Sequence, residues 1–542
     1  MANITFPRKE FESEIKITNE IEKKINLFGT PLEFMNNEEI NIEVFPNRPD
    51  LYTIQGYLRA LKAFIGKEKG LKKYNINKPE KDYKVYVEKQ VKDIRGHTAC
   101  AIVKGLKLNN INIKELMNAQ EKLSSTLGRN RKKMGLGLYP LEKIKFPITY
   151  TAKNSKEIKY IALGLNEEHT AEEILKIHPT GRKYGHLLEN HKMYPVFIDK
   201  NKKIMSMPPI VNSEETGRIT TNTDELFIEC TGTEKSSVEK ALIIMTTTLA
   251  DMGGKIYPME IIDHEKYNTP DFTTQKTKIS LSNVENTIGV KLNEKQVGEL
   301  LSRMGHSYKS GIVESPAWRT DILHEIDLIE DITIALGYDQ LSPSIPKIST
   351  VGEESRNSIL KRKMSSIIAE IEFDEISTYH LIKQGEEEYF KNKDIIELLD
   401  SKTEYKFLRN NLITPMIRIL SENKDVEYPH KLFEIGKVFS KNLQKETGVE
   451  EEEHLILAIS PSNTTTIKQN IDYIFRKINI KYSIKENNFP NLIDGRCAEI
   501  IVNNKQVGYF GEVHPNFLKN VGIKMPLAIA EINLENIYDK IN

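Results

Sequence analysis

Four carboxylates crowd one short stretch of the chain: Asp321, Asp327, Glu330 and Asp331. If the chain turns helical at Asp321, then Asp327, Glu330 and Asp331 stand at i, i+3 and i+4, so their carboxylates emerge on one side. Ile322, Ile326, Ile329 and Ile332 would supply the inward face. Hard oxygen donors without His or Cys suit Mg²⁺, with waters completing its octahedron. A solvated acidic helix face is the plain alternative. The second charged feature is basic: Lys122, Arg129, Arg131, Lys132 and Lys133, opposed by Glu121. Such a patch is what local phosphate binding requires, and a basic surface turn explains it equally well.

Other chemistry is sparse. The chain has no G-x-x-x-x-G-K-S/T, H-E-x-x-H or G-x-S-x-G motif, and Gly135-Leu136-Gly137 is a lone G-x-G. His186 and His191 have no third ligand nearby in sequence. Cys100, Cys230 and Cys497 are far apart without a C-x-x-C, which argues against a disulfide framework or zinc site and for a reducing compartment.

These residues need elements to hold them. Near Pro49 a helix begins, with Leu51, Ile54, Leu58, Leu61 and Ile65 at helical spacing. Residues 194–198 and 203–207 read as a hairpin around Asp199-Lys200-Asn201-Lys202, and a helix follows from Ser236 to Met252, stopped by Gly253-Gly254. His264 to Lys278 reads as a linker, then helices are predicted at 293–304 and 321–336, and Ser342 to Pro346 forms a second linker. The last unit opens with a helix over 359–371. It ends in a hairpin, 498–502 and 505–510, turned by Asn503-Asn504, and Glu450 to Glu453 reads as a solvated loop.

At roughly 150 residues per domain, 542 residues suggest three or four folding units. Lys and Arg number 77 and Asp and Glu 77, so no global field steers the chain to nucleic acid or membrane, and any polyanion must meet a local patch. The first residues lack the apolar core of a signal peptide, and no apolar run approaches the ~18 residues of a spanning helix. The expectation is a soluble cytoplasmic protein with no membrane partner.

Together the motifs resemble the phenylalanyl-tRNA synthetase β-subunit family, of the archaeal and eukaryotic-cytosolic type, along essentially the whole chain. Asn47-Arg48-Pro49-Asp50 matches its N-terminal module, expected over 1–97. Gly128-Arg129-Asn130-Arg131, Pro208-Pro209-Ile210-Val211-Asn212-Ser213 and Ile228-Glu229-Cys230-Thr231-Gly232-Thr233 look like its editing, tRNA-deacylase-like domain, 98–264. Arg319-Thr320-Asp321-Ile322, Asp327-Leu328-Ile329-Glu330-Asp331 and Gly337-Tyr338-Asp339 look like its magnesium-bearing module, 272–347. Leu408-Arg409-Asn410-Asn411-Leu412, Phe433-Glu434-Ile435-Gly436 and Gly511-Glu512-Val513-His514-Pro515 resemble its synthetase-like domain, 355–542.

The resemblance implies a multidomain α+β fold. It would comprise an α+β editing domain, a small winged-helix-like, DNA-binding-like metal-bearing module, and a class II synthetase-like antiparallel-sheet domain. It also implies an (αβ)₂ tetramer whose α subunit holds ATP and phenylalanine and charges tRNA(Phe). The C-terminal domain would be a catalytically inactive platform, because Phe433 is followed directly by Glu434 where an F-R-x-E motif would place Arg. The editing pocket, carried over by motif, comprises Gln120, Arg131, Ser206, Asn212, Glu229 and Thr231. Glu229 or a neighbour would accept the tyrosyl hydroxyl proton, Arg131 would hold the tRNA terminus, and a positioned water would hydrolyse Tyr-tRNA(Phe). Ser124 and Asn130 depart from the family pattern. Mg²⁺ would sit at Asp321, Asp327, Glu330 and Asp331 in a structural or electrostatic role. The alternative function is a non-catalytic tRNA-binding or assembly subunit with an inert editing pocket.

Overall fold

The computed structural model describes residues 2–80, 82–346, 351–390 and 394–538, and every count of structure concerns these residues. The expected limits at 1, 347 and 542 lie outside them. The chain divides into two compact units, Met1–Ile345 and Pro346–Asn542. Both mix helices and sheets, so the fold is α+β and multidomain.

The first unit opens with three antiparallel strands, β1 (Ala2–Pro7), β2 (Leu32–Met35) and β3 (Glu39–Val44), with β3 central. The helix expected from Pro49 is split. Pro49–Leu51 forms a single 3₁₀ turn, and the α-helix is Ile54–Phe64. Thr53 makes the break: its hydroxyl accepts the Gly56 N–H at 3.1 Å and caps a fresh helix start.

A ten-stranded sheet forms the body of this unit. Its strands are β4 (Lys84–Val87), β5 (His97–Lys104), β6 (Met134–Pro140) and β7 (Ile148–Asn154). After β8 (Lys159–Tyr160) and β9 (His169–Thr170), which pair only with each other, come β10 (Met193–Ile198), β11 (Ile204–Met207) and β12 (Val211–Asn212). The rest are β13 (Glu225–Gly232), β14 (Lys255–Ile262) and β15 (Lys266–Thr269). The order is β12-β11-β10-β7-β4-β14-β5-β13-β6, with β15 added on β14. The hairpin of β10 and β11 is as expected, its turn tied by Asp199, whose carboxylate accepts the Asn201 and Lys203 N–H groups at 2.9 Å. The helix Lys235–Asp251 ends as expected before Gly253, at φ +97°.

Two expected borders move. β4 lies inside the sheet between β7 and β14, so a border at 97 would cut through it. The segment 264–278 is no free linker either: Lys266–Thr269 pairs with β14, and Gln275–Lys278 pairs with Ile312–Ser315. These short strands are mostly exposed and polar, so their sequence carries no apolar alternation.

Three helices, Leu281–Ile288, Glu294–Arg303 and Glu325–Leu336, then accompany a three-stranded antiparallel sheet. The last helix starts at Glu325 rather than Asp321. The Asp327 carboxylate accepts the Leu323 and His324 N–H groups, both at 2.7 Å, and so fixes the helix start there. Ile329 and Ile332 are buried as predicted, but Ile326 faces out.

The second unit carries a seven-stranded sheet, antiparallel except where Asp374–Glu375 runs parallel to His430–Lys441. Helices Arg356–Ala369 and Thr464–Lys477 pack on it. Asn503 and Asn504, at φ 49° and 60°, turn the expected hairpin. Glu450 to Glu453 is a correction, because it lies in the strand Val449–Ser460. Cross-strand and helix lysines balance its charge, Lys437 on Glu451 and Lys361 on Glu453 at 3.0 Å.

Candidate functional site

Across the sheet of the first unit, side chains alternate between two apolar layers. Leu138, Ile228 and Ala101 face one, with the helix Lys235–Asp251, and Tyr139, Phe227 and Cys100 face the other. Glu229 falls on β13 opposite Gly137 of β6 and Cys100 of β5, so an acid enters the second, aromatic layer. It lines a cavity of about 260 Å³. All six residues expected in the pocket, Gln120, Arg131, Ser206, Asn212, Glu229 and Thr231, line that cavity.

Glu229 is 3% exposed, and burial pushes its pKa up to about 7, opposed by hydrogen bonds from Tyr139 and Ser206 and by the charge of Arg95. The Tyr139 hydroxyl stands 2.7 Å and the Ser206 hydroxyl 3.2 Å from Oε2 of Glu229. Asn212 is held by its Nδ2, which donates to the Leu138 carbonyl at 3.3 Å. Gln120 donates to the Leu136 carbonyl at 2.6 Å. Thr231 accepts Nε of Arg95 at 3.3 Å, and its carbonyl accepts Nη2 at 2.7 Å. Arg95 itself is buried, and that burial draws its pKa down to about 10. Neither Arg95 nor Tyr139 belongs to a motif, and the one trace of Tyr139 in sequence is the G-x-G just before it.

The basic stretch behaves differently from the expectation. Arg131 donates to the carbonyls of Pro209 and Ile210 at 2.8 and 2.9 Å, pairs with Glu121 at 2.8 Å, and stacks on Tyr184 at 4.3 Å. Against the upward push of burial, hydrogen bonds from Tyr184 and Arg131 hold Glu121 at about 2. Arg131 therefore pins the loop over the pocket through both terminal nitrogens, while its buried Nε has no partner. Lys133 pairs with Glu234 at 2.8 Å, while Arg129 and Lys132 remain exposed. Arg129, Asn130 and Arg131 follow one another at φ 45°, 54° and 65°, a strained turn, and Arg95 donates to the carbonyl of Arg131 at 2.9 Å.

The four carboxylates do not assemble as a cage. Successive helix positions lie about 100° apart, so Glu330 faces solvent while Asp331 is buried. Oδ2 of Asp331 meets Nε2 of His306 at 2.6 Å and Nη2 of Arg319 at 2.8 Å. Arg319 also grips Asp321 through two bonds, at 2.8 and 2.6 Å. Against burial, Arg319 and His306 hold Asp331 at about 2. Burial and the charges of Asp331, Asp327 and Asp321 raise the pKa of Glu330. The donor types suit Mg²⁺, but a guanidinium occupies two of the four carboxylates and a helix cap a third. Among the described residues no three acid, imidazole or thiol groups are arranged to hold a metal ion. As arranged, these residues do not fit the expected Mg²⁺ site.

In the second unit, the family-motif residues Arg409 and Glu434 form a buried pair at 2.7 Å, and Thr378 donates to the other Glu434 oxygen at 2.7 Å. A Cβ at Gly436 would stand 2.4 Å from the Arg409 guanidinium, which explains the glycine there. Among the described residues no helix is long and apolar enough to cross a membrane.

Comparison with known proteins places this geometry in context. Residues 341–534 match the family described as "Phenylalanyl tRNA synthetase beta chain CLM domain", and residues 277–338 match the "tRNA synthetase B5 domain". The beta subunit of phenylalanine-tRNA ligase from Thermococcus kodakarensis is 34% identical over 518 residues, 91% of this chain and 90% of that protein. That from Archaeoglobus fulgidus is 34% identical over 536 residues, 95% of each. That from Pyrococcus horikoshii is 35% identical over 505 residues, 91% of this chain and 90% of that protein. A crystal structure of an N-terminal fragment of the Pyrococcus horikoshii phenylalanyl-tRNA synthetase beta subunit superposes with a TM-score of 0.59 at 36% identity. It covers 62% of this chain and all of the fragment.

Proposed function

The chain belongs to the family of phenylalanine-tRNA ligase beta subunits, and we propose that it acts as one, with an α partner charging tRNA(Phe) while this chain hydrolyses mischarged Tyr-tRNA(Phe). The α subunit holds ATP and phenylalanine in an (αβ)₂ assembly, and the second unit of this chain is the platform on which α packs. The structural lock of Arg409 on Glu434 supports that division, because it commits to packing an arginine whose charge would otherwise be free for a phosphate.

One observation carries the editing reading: a buried carboxylate, poised at about pH 7, in a cavity lined by all six residues expected there. A pocket shaped for phenylalanine cannot strongly reject tyrosine, which adds only a hydroxyl, so a second site must recognise that hydroxyl and remove the error. Glu229 accepts the tyrosyl O–H, and a phenylalanyl group offers nothing to it. Water then attacks the ester carbonyl, the bond to the tRNA ribose oxygen breaks, and that oxygen takes a proton. Asn212, Ser206, Gln120 and Thr231 orient the aminoacyl group and the water. No step runs through Mg²⁺.

Deacylation of Tyr-tRNA(Phe) by the co-expressed αβ complex tests this reading, with Asn212→Ala and Glu229→Ala as controls. Wild-type hydrolysis well above both variants is the expected result. Equal, slow hydrolysis by all three would leave the alternative, an assembly or tRNA-binding subunit with an inert pocket.

A further inference from the structure

The Gly135-Leu136-Gly137 run matches no phosphate-binding motif, yet its second glycine decides where the Tyr139 ring lies. Gly137 lies directly opposite Glu229 across β6 and β13, and Tyr139 stands two residues further on the same face. The Tyr139 ring folds back over Gly137, so that a Cβ at 137 would stand 2.8 Å from the phenol oxygen. Only a residue without a side chain lets the phenol lie across to Glu229.

That hydroxyl has one proton and two acceptors within reach, Oε2 of Glu229 at 2.7 Å and Oδ1 of Asn212 at 3.1 Å. The shorter contact, to the group that carries charge, is the stronger bond. Ser206 donates to the same Oε2. Both protein donors thus converge on one carboxylate oxygen, and Oε1 is the oxygen left for a ligand.

We propose that Tyr139 is a positioning residue of the deacylation site: by donating to Oε2 it holds Glu229 as an acceptor through Oε1, and so makes the site select an aminoacyl group bearing a phenolic hydroxyl over one bearing a bare ring. This rests on the deacylase reading above. The electrostatics agree with the geometry. The groups facing Glu229 are Tyr139 on β6, Cys100 on β5, Tyr150 on β7 and Arg95 from the short helix Lys92–Arg95. Burial pushes the two tyrosines and Cys100 far above neutral pH, so they stay protonated and Arg95 is the charged neighbour. Burial alone drives Glu229 toward its neutral form, and the Tyr139 hydroxyl opposes that drive. A neutral Glu229 would carry its own O–H and lose its preference for a donor.

The experiment compares wild type and Tyr139→Phe in the αβ complex, measuring deacylation of Tyr-tRNA(Phe) and Phe-tRNA(Phe) from about pH 6 to about pH 9. The expected result is a ~5-fold loss in kcat/KM for Tyr-tRNA(Phe) near pH 7, approaching ~10-fold at about pH 6, as the acid limb moves up by about one pH unit, one unit being a factor of ten. Most of the loss recovers at about pH 9, and Phe-tRNA(Phe) hydrolysis changes little. An acid limb that does not move, with activity kept or lost equally at every pH, would make Tyr139 a packing residue and overturn the proposal. Titration of Glu229 by infrared difference spectroscopy on the full chain gives a second readout independent of turnover. A raised Glu229 titration in the variant together with no wild-type deacylation would sink the deacylase reading but leave the coupling of Tyr139 to Glu229 standing. Deacylation with an unchanged titration would do the reverse.

Discussion

Glu229 and Asp331 are buried to the same depth, each 3% exposed, and their environments drive them in opposite directions. Glu229 meets neutral hydroxyls, with the positive charge of Arg95 acting at longer range, and burial lifts it to about 7. Asp331 is gripped by Arg319 and His306, and it falls to about 2 despite the same burial. Desolvation alone does not decide what a buried acid does; the partner in direct contact does. One group is poised to change its charge near neutral pH, as chemistry requires. The other is a permanently ionised strut that ties the helix Glu325–Leu336 to the rest of its module.

The largest way to break this contrast is Arg319→Ala. It strands Asp331 and Asp321 without their shared cation, and a loss of about 3–5 kcal/mol in that module is expected in denaturant unfolding, in line with breaking other buried pairs. A loss below about 1 kcal/mol would mean that Asp331 is not held by Arg319.

The pH signatures of the two acids run opposite ways. The folded pKa of Glu229, about 7, lies above its ordinary 4.5. Its contribution to stability is therefore fully present below about pH 4.5 and is lost as pH rises through about 7, a change of about 3 kcal/mol. Glu229→Gln removes that dependence, so the variant is expected to be more stable than wild type at about pH 8, by on the order of 1–3 kcal/mol. Equal thermal stability at that pH would show that Glu229 is not desolvated as described. Asp331 has a depressed folded pKa, about 2 against an ordinary 3.8. Its contribution, about 2 kcal/mol, is present above about pH 4 and lost as pH falls toward about 2. Asp331→Asn should flatten that acid limb. The smallest effect is expected at Glu451, an acid paired with Lys437 on an exposed strand face. Glu451→Ala should change stability by no more than about 0.5 kcal/mol, and salt should erase even that.

The same contrast explains what the sequence could and could not tell. The clustering of the six expected residues around one cavity was anticipated, four of them, Arg131, Asn212, Glu229 and Thr231, from motifs whose order along the chain is itself informative, and their roles belong to the proposal. Tyr139 and Arg95, which bond to Glu229 and Thr231, were not, because strand register and a bend of the backbone bring them there and no local pattern marks them. The carboxylate run was legible as charge but misread as a cage. The spacing of acids along a helix says nothing of Arg319 and His306, which arrive from other segments and take the inward carboxylate. The glutamate run at 450–453 was misread for a related reason: besides the nearby Lys445 on Glu450, its charges are balanced by Lys437 and Lys361, more distant in sequence. Strands β4 and β15 shifted the expected borders because short strands in a large sheet need little apolar periodicity of their own. Element types where caps and turns are explicit, at Gly253, Asn293 and Asn503-Asn504, came through intact.

The central claim is that Glu229 reads the tyrosyl hydroxyl for hydrolysis. Its most direct test is the ratio of deacylation rates for Tyr-tRNA(Phe) over Phe-tRNA(Phe), measured with the αβ complex carrying wild-type Glu229 or Glu229→Gln. A site that recognises the hydroxyl through this carboxylate predicts a wild-type ratio well above ~10 that falls ~10–100-fold in the variant. A wild-type ratio near one, or a high ratio that survives Glu229→Gln, would contradict it.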